Sequence, residues 1–448
     1  MPGINSVLDI GKSALFTQQL GIEVTGHNIA NVNTPGYSRQ ILHLETKQPM
    51  SFTPGQIGTG VRASEVIRIH DRYLLCQITS EYQALGKWDA EKDVLERVEM
   101  VLSVDKFNES LCDFWNAWED LANNPSGLAE RAVVISKGEQ IANSIQSIYS
   151  NMEQFKSAEM DAGVTATVEE INLLSEQISD LNKQIESAET GGQNANDLRD
   201  KQELLLKELS EKIDIDHFYD NEGRLNIIVC GMKPLVSGGN YFELSTQTRE
   251  GVQEVLWTDS EGESTIITEN ISGGSIKGSL VYIEDYIDRF DELAVNIMES
   301  VNALHSTGFG LDGSTGNAFF TGTSASDIEV NTVLINDIEM IAAAETAEGV
   351  PGDNGNAIAI AKLRYDSSIG DYFNSIVNDV GTGLQKAISN YDHQLETVNY
   401  LNNLRESISG VSLDEEMISL IQYQHAYEAA AKLISVADEL LSSLVNMV

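Results

Sequence analysis

Large apolar residues recur every seven positions at both ends of this chain. Near the N-terminus Leu8, Leu15, Ile22 and Ile29 fall on one helical stripe, flanked by Ile4, Val7, Gly11 and Ala14. Near the C-terminus Leu413, Leu420, Tyr427, Ile434, Leu441 and Val448 form a second, flanked by Met417, Ala430, Ala431, Ala437, Leu444 and Val445. A seven-residue apolar period on a helix makes a seam that seeks another helix. Two such seams, far apart in sequence, predict a chain that pairs its own ends or docks them into neighbours. The expectation is assembly rather than catalysis.

Between the ends the pattern changes several times. The first helix is expected to end near Asn31 or Asn33. Thr34-Pro35-Gly36-Tyr37 then reads as a type II turn, with Pro fixing φ and Gly accepting a positive one. A polar, extended stretch from Ser38 to Val61 holds Pro49, Pro54, Gly55, Gly58 and Gly60. Helices follow from about Asp71, through Phe114, Trp115 and Trp118 to Pro125, and from Ala129 past Met152. Ile171, Ile178 and Ile185, with Leu174, Leu181 and Ala188, mark an internal heptad. Gly191-Gly192 breaks it before a helix from Asp197 to Lys212, giving a helical hairpin. From Ile213 to Gly278, short β-branched runs alternate with turns, as in Leu225, Ile227 and Val229. Helix returns over Leu280 to His305 and from about Ile358 to the end. Ser412 and Glu415 form a capping-box signature at the start of the last helix, with Asp414 and Glu416 suited to its positive end.

The fold class expected is mainly α with a β-rich insert. It is a discontinuous multi-domain rod: N- and C-terminal helices paired as a coiled coil, a long helical bundle and a small β domain. Residues 1–40 and 411–448 are assigned to the terminal assembly domain. Residues 41–212 and 279–410 are assigned to the helical rod, and 213–278 to the insert.

Composition narrows the chemistry. The 448 residues hold 69 Asp and Glu against 28 Lys and Arg, a formal charge of −41. Such a field repels nucleic acid and anionic lipid, which are bound by basic residues, so no nucleic-acid partner and no membrane insertion are expected. Cys76, Cys112 and Cys230 are too few and too scattered for a disulfide framework or zinc site, and read as small buried hydrophobes. Gly308-Phe309-Gly310-Leu311-Asp312-Gly313 matches G-x-G-x-x-G, but follows a helix rather than a strand, so a loop corner explains it. No metal-binding histidine pair and no G-x-S-x-G are present, so no enzyme, metal or cofactor is expected. Met1 to Gly11 has neither a basic n-region nor an apolar run. Residence in the cytoplasm, or export by a route without a cleavable signal, is expected.

Two segments carry a family resemblance. Asn28-Ile29-Ala30-Asn31-Val32-Asn33-Thr34-Pro35-Gly36-Tyr37-Ser38-Arg39-Gln40 resembles the N-terminal signature of bacterial flagellar rod, hook and hook-associated proteins. The run from Ser409 to Met417, continuing through Gln424, Tyr427, Ala430, Ile434, Ala437 and Leu441, is similar to their C-terminal signature. Interior segments favour the hook–filament junction branch: Asp197 to Gln202, Phe114 to Pro125 with Arg131, and Leu293-Ala294 with Asn302, His305 and Gly308.

The resemblance implies a structural subunit, exported unfolded by the flagellar type III apparatus and assembled at the hook–filament junction. It implies a ring of identical copies with the hook protein and a second junction protein as neighbours, and an export chaperone on the C-terminal helix. The implied assembly interface is Leu8, Leu15, Ile22, Ile29, Leu413, Met417, Leu420, Tyr427, Ile434 and Leu441. The implied turn motif is Asn28, Asn31, Thr34, Pro35, Gly36, Tyr37 and Arg39. Competing readings are another axial component, or a glycan-binding adhesin or enzyme using Trp257, Tyr241 and Phe242 of the insert.

Overall fold

The computed structural model describes residues 4–53, 55–102, 104–249, 252–280 and 283–446. Val448 and Pro54 lie outside them, as do the side chains of Ile4 and Leu444. The chain forms two compact units, each drawn from separate stretches. One comprises Met1–Gly86, Val168–Gly274 and His393–Val448; the other comprises Lys87–Thr167 and Ser275–Asp392. The terminal segments therefore share a unit with most of the β-rich insert.

In the first unit the N-terminal helix, Ile4–Ala30, packs along the C-terminal helix, Leu413–Val445. The stretch read only as extended is a β-hairpin. Gln40–Thr46 pairs antiparallel with Val61–Arg68, and Met50–Phe52 pairs with Gly55–Ile57 at its tip. Alternation was too weak to reveal these strands, because the hairpin leaves Ile41 and Leu44 exposed.

The insert holds two antiparallel sheets. Four strands run from Ile215 to Tyr241 in sequence order, and a three-stranded sheet runs from Leu244 to Ile266. Leu225, Ile227 and Val229 alternate as expected and are fully buried. Ile171, Ile178 and Ile185 are buried too, but the companion line differs from the heptad reading. Val168, Ser175 and Asn182 are buried in place of Leu174, Leu181 and Ala188. The reason is polar. Asn182 donates to the carbonyls of Leu225 (2.8 Å) and Gly238 (2.6 Å) and accepts from the Leu225 amide (2.9 Å), so its amide serves the backbone of the sheet.

The second unit is helical around an aromatic core. Phe107 and Phe373 lie 4.5 Å apart between centroids, and Phe114 meets Phe319 and Phe320 at 5.7 Å each. Phe114, Trp118 and Leu121, spaced by four and three, put large side chains on one helical face, all fully buried. His305 ends the helix Ile283–His305 inside this core, 6.1 Å from Trp118. Its Nδ1 donates to the Asn317 carbonyl at 2.7 Å and its Nε2 accepts from the Ala342 amide at 3.1 Å. That arrangement fits only neutral imidazole, and burial lowers its pKa from 6.5 to about 4.

The sign follows from linkage. Between those values the unfolded chain binds the proton and the folded one does not, so stability falls as pH drops through that window. The loss reaches about 3 kcal/mol at its limit. His305→Gln can donate and accept without titrating. Melting curves at pH 7 and pH 4.5 should show a smaller acid loss in the variant than in the parent; equal losses would contradict this account.

Candidate functional site: the paired ends and their turn

The two terminal helices run antiparallel. A Cβ on Gly11 would lie 2.7 Å from Cγ1 of Ile434, and one on Gly21 would lie 2.7 Å from the Tyr423 ring. Further along, Asn28 bonds Glu416 at 3.0 Å. Larger numbers on one helix thus meet smaller numbers on the other. This register sets Leu8 level with Ala437 and Leu15 level with Ala430, both buried alanines. Glycine meets a large side chain on one helix, and leucine meets a small one on the other. That exchange lets the axes approach closely.

The predicted interface residues divide accordingly. Leu8, Leu15, Ile22, Ile29, Leu420, Ile434 and Leu441 are half-buried within the single chain. Tyr427 is 38% exposed, and Leu413 and Met417 are 48% exposed. The last two lie beside the seam and are left uncovered. Glu416 and Tyr423, absent from the predicted set, occupy it.

The turn beyond the first helix follows the sequence reading. Thr34 accepts the Tyr37 amide at 3.2 Å, and Gly36 has φ of +80°, which L-residues rarely adopt. Asn31 takes the Thr34 hydroxyl on Oδ1 at 3.1 Å and donates to the His27 carbonyl at 3.0 Å. Pro35 and Thr34 are exposed, which suits a role in backbone shape rather than contact. Asn28 is the buried centre. Its Nδ2 donates to Gln40 O (2.8 Å) and to Glu416, while its Oδ1 accepts from the Tyr37 hydroxyl (2.8 Å) and the Gln40 amide (2.9 Å). All four hydrogen-bonding positions of the amide are used. Burial, then Asp197, Asp200 and Glu416, push the Tyr37 phenol well above its ordinary range, so it stays a donor.

Arg39 ties the turn to the last helix. Its Nε donates to Glu416 at 2.7 Å and its Nη1 to Glu415 at 2.8 Å, while its amide meets Ser409 O at 2.8 Å. The sequence reading placed Glu415 in a capping box and Glu416 at the helix's positive end; in the structure both also take Arg39. Glu416 is only 2% exposed, and such burial needs a partner.

The helix Asn196–Lys212 holds the turn from its other side. Asp200 accepts the Ser38 amide at 2.9 Å and Arg68 at 2.9 Å, and Glu203 accepts Arg68 at 2.5 Å. Asp197 takes Gln40 at 2.7 Å, and Gln202 reaches Asn182 at 2.9 Å. One helix therefore bonds the turn through Asp197 and Asp200 and, through Gln202, the Asn182 amide that serves the insert. Burial raises the Asp200 carboxyl, against the hydrogen bonds from Ser38 and Arg68. Burial also lowers Arg68, but Glu203 and Asp200 more than reverse that, so the guanidinium stays charged. Arg405 closes the ring by donating to Gly36 O at 2.8 Å. Arg68, Glu203 and Arg405 had no sequence signal, since their partners lie far along the chain.

Other sequence candidates resolve into packing. Trp257 is 6% exposed, stacks on Phe242 with centroids 5.6 Å apart and donates to Pro234 O at 2.8 Å. Gly308 follows a helix and abuts Asn356, so the G-x-G-x-x-G run is a loop corner. The cysteines are not the buried hydrophobes expected: Cys76 and Cys112 are exposed and Cys230 is half-buried. Cys112 lies on the solvent side of its helix, opposite the Phe114–Trp118 face.

Both ends of this site match families of flagellar proteins. Residues 8–37 match the family described as flagella basal body rod protein, and residues 405–447 match the C-terminal part of the flagellar basal body rod FlgEFG proteins. The class is thus an axial structural component of the bacterial flagellum. Residues 95–320, half of the chain, match the helical domain of flagellar hook-associated protein FlgK. Flagellar hook-associated protein 1 of Bacillus subtilis is 30% identical over 98% of this chain and 97% of its own length. That of Escherichia coli is 23% identical over 99% of this chain and 100% of its own. The flagellar hook junction protein FlgK of Burkholderia pseudomallei shares the fold over 55% of this chain and 46% of that one, with a TM-score of 0.51 at 19% identity. The chain belongs to the flagellar hook-associated protein 1 family. Its role is structural, as an exported component of the junction between hook and filament. No helix among the described residues is long and apolar enough to cross a membrane.

Proposed function

We propose that the antiparallel helix pair is the element by which copies of this chain join the flagellum, and that Asn28, Tyr37 and Arg39 lock it to the body of the subunit. The observation that carries this reading is the close approach of Gly11 to Ile434 and Gly21 to Tyr423, continued by the bond from Asn28 to Glu416. The seam is Leu8, Leu15, Ile22, Ile29, Leu420, Tyr427, Ile434 and Leu441, with Leu413 and Met417 on its flank for neighbours. Terminal helices draw most of their stability from packing, so the pair firms up as copies assemble. The partners are further copies in a ring, the hook protein on one side and the second junction protein on the other. During type III export a chaperone covers the C-terminal helix, whose Ile418, Ile421 and Leu440 are 57%, 48% and 54% exposed. We assign the chain no catalytic step, cofactor or metal.

Deleting the gene tests the placement. Cells should make bare hooks and lose flagellin to the medium, and the intact gene should restore filaments. Filaments of normal length in the deletion strain would overturn the reading.

A further inference from the structure

The three thiols of this chain differ in what surrounds them. Burial, then Asp214, pushes the half-buried Cys230 thiol up to about 12, so it stays protonated. Cys112 is exposed; its carbonyl accepts from Arg364 at 3.3 Å, and its thiol meets no histidine among the described residues. Cys76 is exposed too, but its Sγ lies 3.7 Å from Nε2 of His217, 141 residues further along the chain. A thiol in reach of an imidazole is a nucleophile beside a base.

Two regular elements hold this pair in place. The helix Arg72–Leu102 runs against the direction of the strand Ile215–Tyr219, and three contacts fix the register. Gln83 donates to the Ile215 carbonyl at 2.7 Å, Cys76 meets His217, and the Arg72 guanidinium lies 5.1 Å from the centre of the Tyr219 ring. Positions 72, 76 and 83 share one face of a helix, and 215, 217 and 219 share one face of a strand. Asp216 and Phe218 are exposed on the other face of that strand. Burial lowers the His217 imidazole more than Asp216 and Glu203 raise it, so the ring is neutral at pH 7.5. With its proton on Nδ1, Nε2 is an acceptor.

Export carries these thiols out of the cytoplasm, into surroundings where disulfides persist. We propose that Cys76 is a thiol–disulfide exchange site, with His217 as its proton acceptor and a small disulfide as its reactant. Nε2 takes the Sγ proton as the sulfur attacks one sulfur of the disulfide. The S–S bond breaks, its electron pair leaves with the second sulfur, and that thiolate takes the proton. Cys76 ends as a mixed disulfide and one small thiol is released. The disulfide is itself the oxidant.

The full-length chain is incubated at pH 7.5 with hydroxyethyl disulfide, a neutral probe, and each cysteine is followed by mass spectrometry. Cys76 should be modified about tenfold faster than Cys112. His217→Gln, which takes up no proton, should bring Cys76 to the Cys112 rate and leave Cys112 unchanged. Equal rates in the parent, or an advantage of Cys76 that survives His217→Gln, would overturn the assignment. Should the variant not fold, the parent unfolded in urea replaces it. The advantage must vanish there, and one that persists counts against the pair.

Discussion

Arg68→Met should destabilise the unit that carries the paired ends by about 3 to 5 kcal/mol, the usual result of removing one partner from a buried ion cluster. The side chains of Arg68, Asp200 and Glu203 are 6%, 6% and 9% exposed. Methionine fills much of the space but removes the cation that both carboxylates bond, leaving Lys207 to act on Glu203 without a direct ion pair. The pH dependence separates this from a packing defect. Burial already raises the Asp200 carboxyl, and loss of Arg68 raises it further. In the variant the folded state therefore takes up a proton that the unfolded state, at ordinary carboxylate values, does not. Acidification then favours the folded variant relative to the parent, and the deficit shrinks as pH falls from 8 toward 5. Adding Asp200→Asn should recover part of the loss at pH 8. Denaturant titrations of the three proteins at both pH values check this; a deficit independent of pH would contradict it.

The consequence extends past stability. Asp200 fixes the Ser38 amide and Asp197 fixes Gln40, whose own backbone is held by Asn28. Loosening Arg68 therefore loosens the turn that aims the first helix at the last. The coupling runs through a contiguous hydrogen-bonded set with named members, which is what a claim of coupling requires.

The seven-residue stripes and the Thr34–Tyr37 turn were legible in the sequence because each rests on local rules: helix periodicity, and Pro followed by Gly. The polar hub was not. Asn28 and Glu416 are 388 residues apart and Arg39 and Glu416 are 377 apart, and no local rule joins charges across such distances. The motif Asp197 to Gln202 could be noticed as a resemblance, but its division of labour could not. Asp200 and Gln202 are neighbours in sequence that point to different partners, Ser38 and Asn182. The internal heptad misled for a related reason. Leucines at 174 and 181 looked like core, whereas the sheet needed an amide at 182. Likewise, the stripe at the C-terminus hid a second one, because a helix with apolar residues on two faces blurs the period of each.

Leu420→Asp with Ile434→Asp should abolish incorporation into flagella while leaving the unit of Lys87–Thr167 and Ser275–Asp392 folded. Ile434 sits where Gly11 leaves no room for even a methyl group, so a carboxylate there faces helix backbone without a cation. Leu420 lies on the same face, between Glu416 and Tyr423. A new charge beside Glu416 competes for Arg39, which already serves Glu415 and Glu416. Each substitution costs on the order of 2 to 4 kcal/mol in lost packing and desolvation. Two on one marginal helix pair exceed what its contacts supply. The aromatic core of the other unit shares none of these residues, so its melting transition should remain within about half a kcal/mol of the parent. The paired control is Ile421→Asp with Val436→Asp, which lies on the outer face. That variant should keep the helices paired in the free subunit, read as protection of both ends from dilute protease, yet fail in the ring. If the seam variant assembles normally, the paired ends are not the joining element. Assembly of the outer-face variant alone would instead confine joining to the seam.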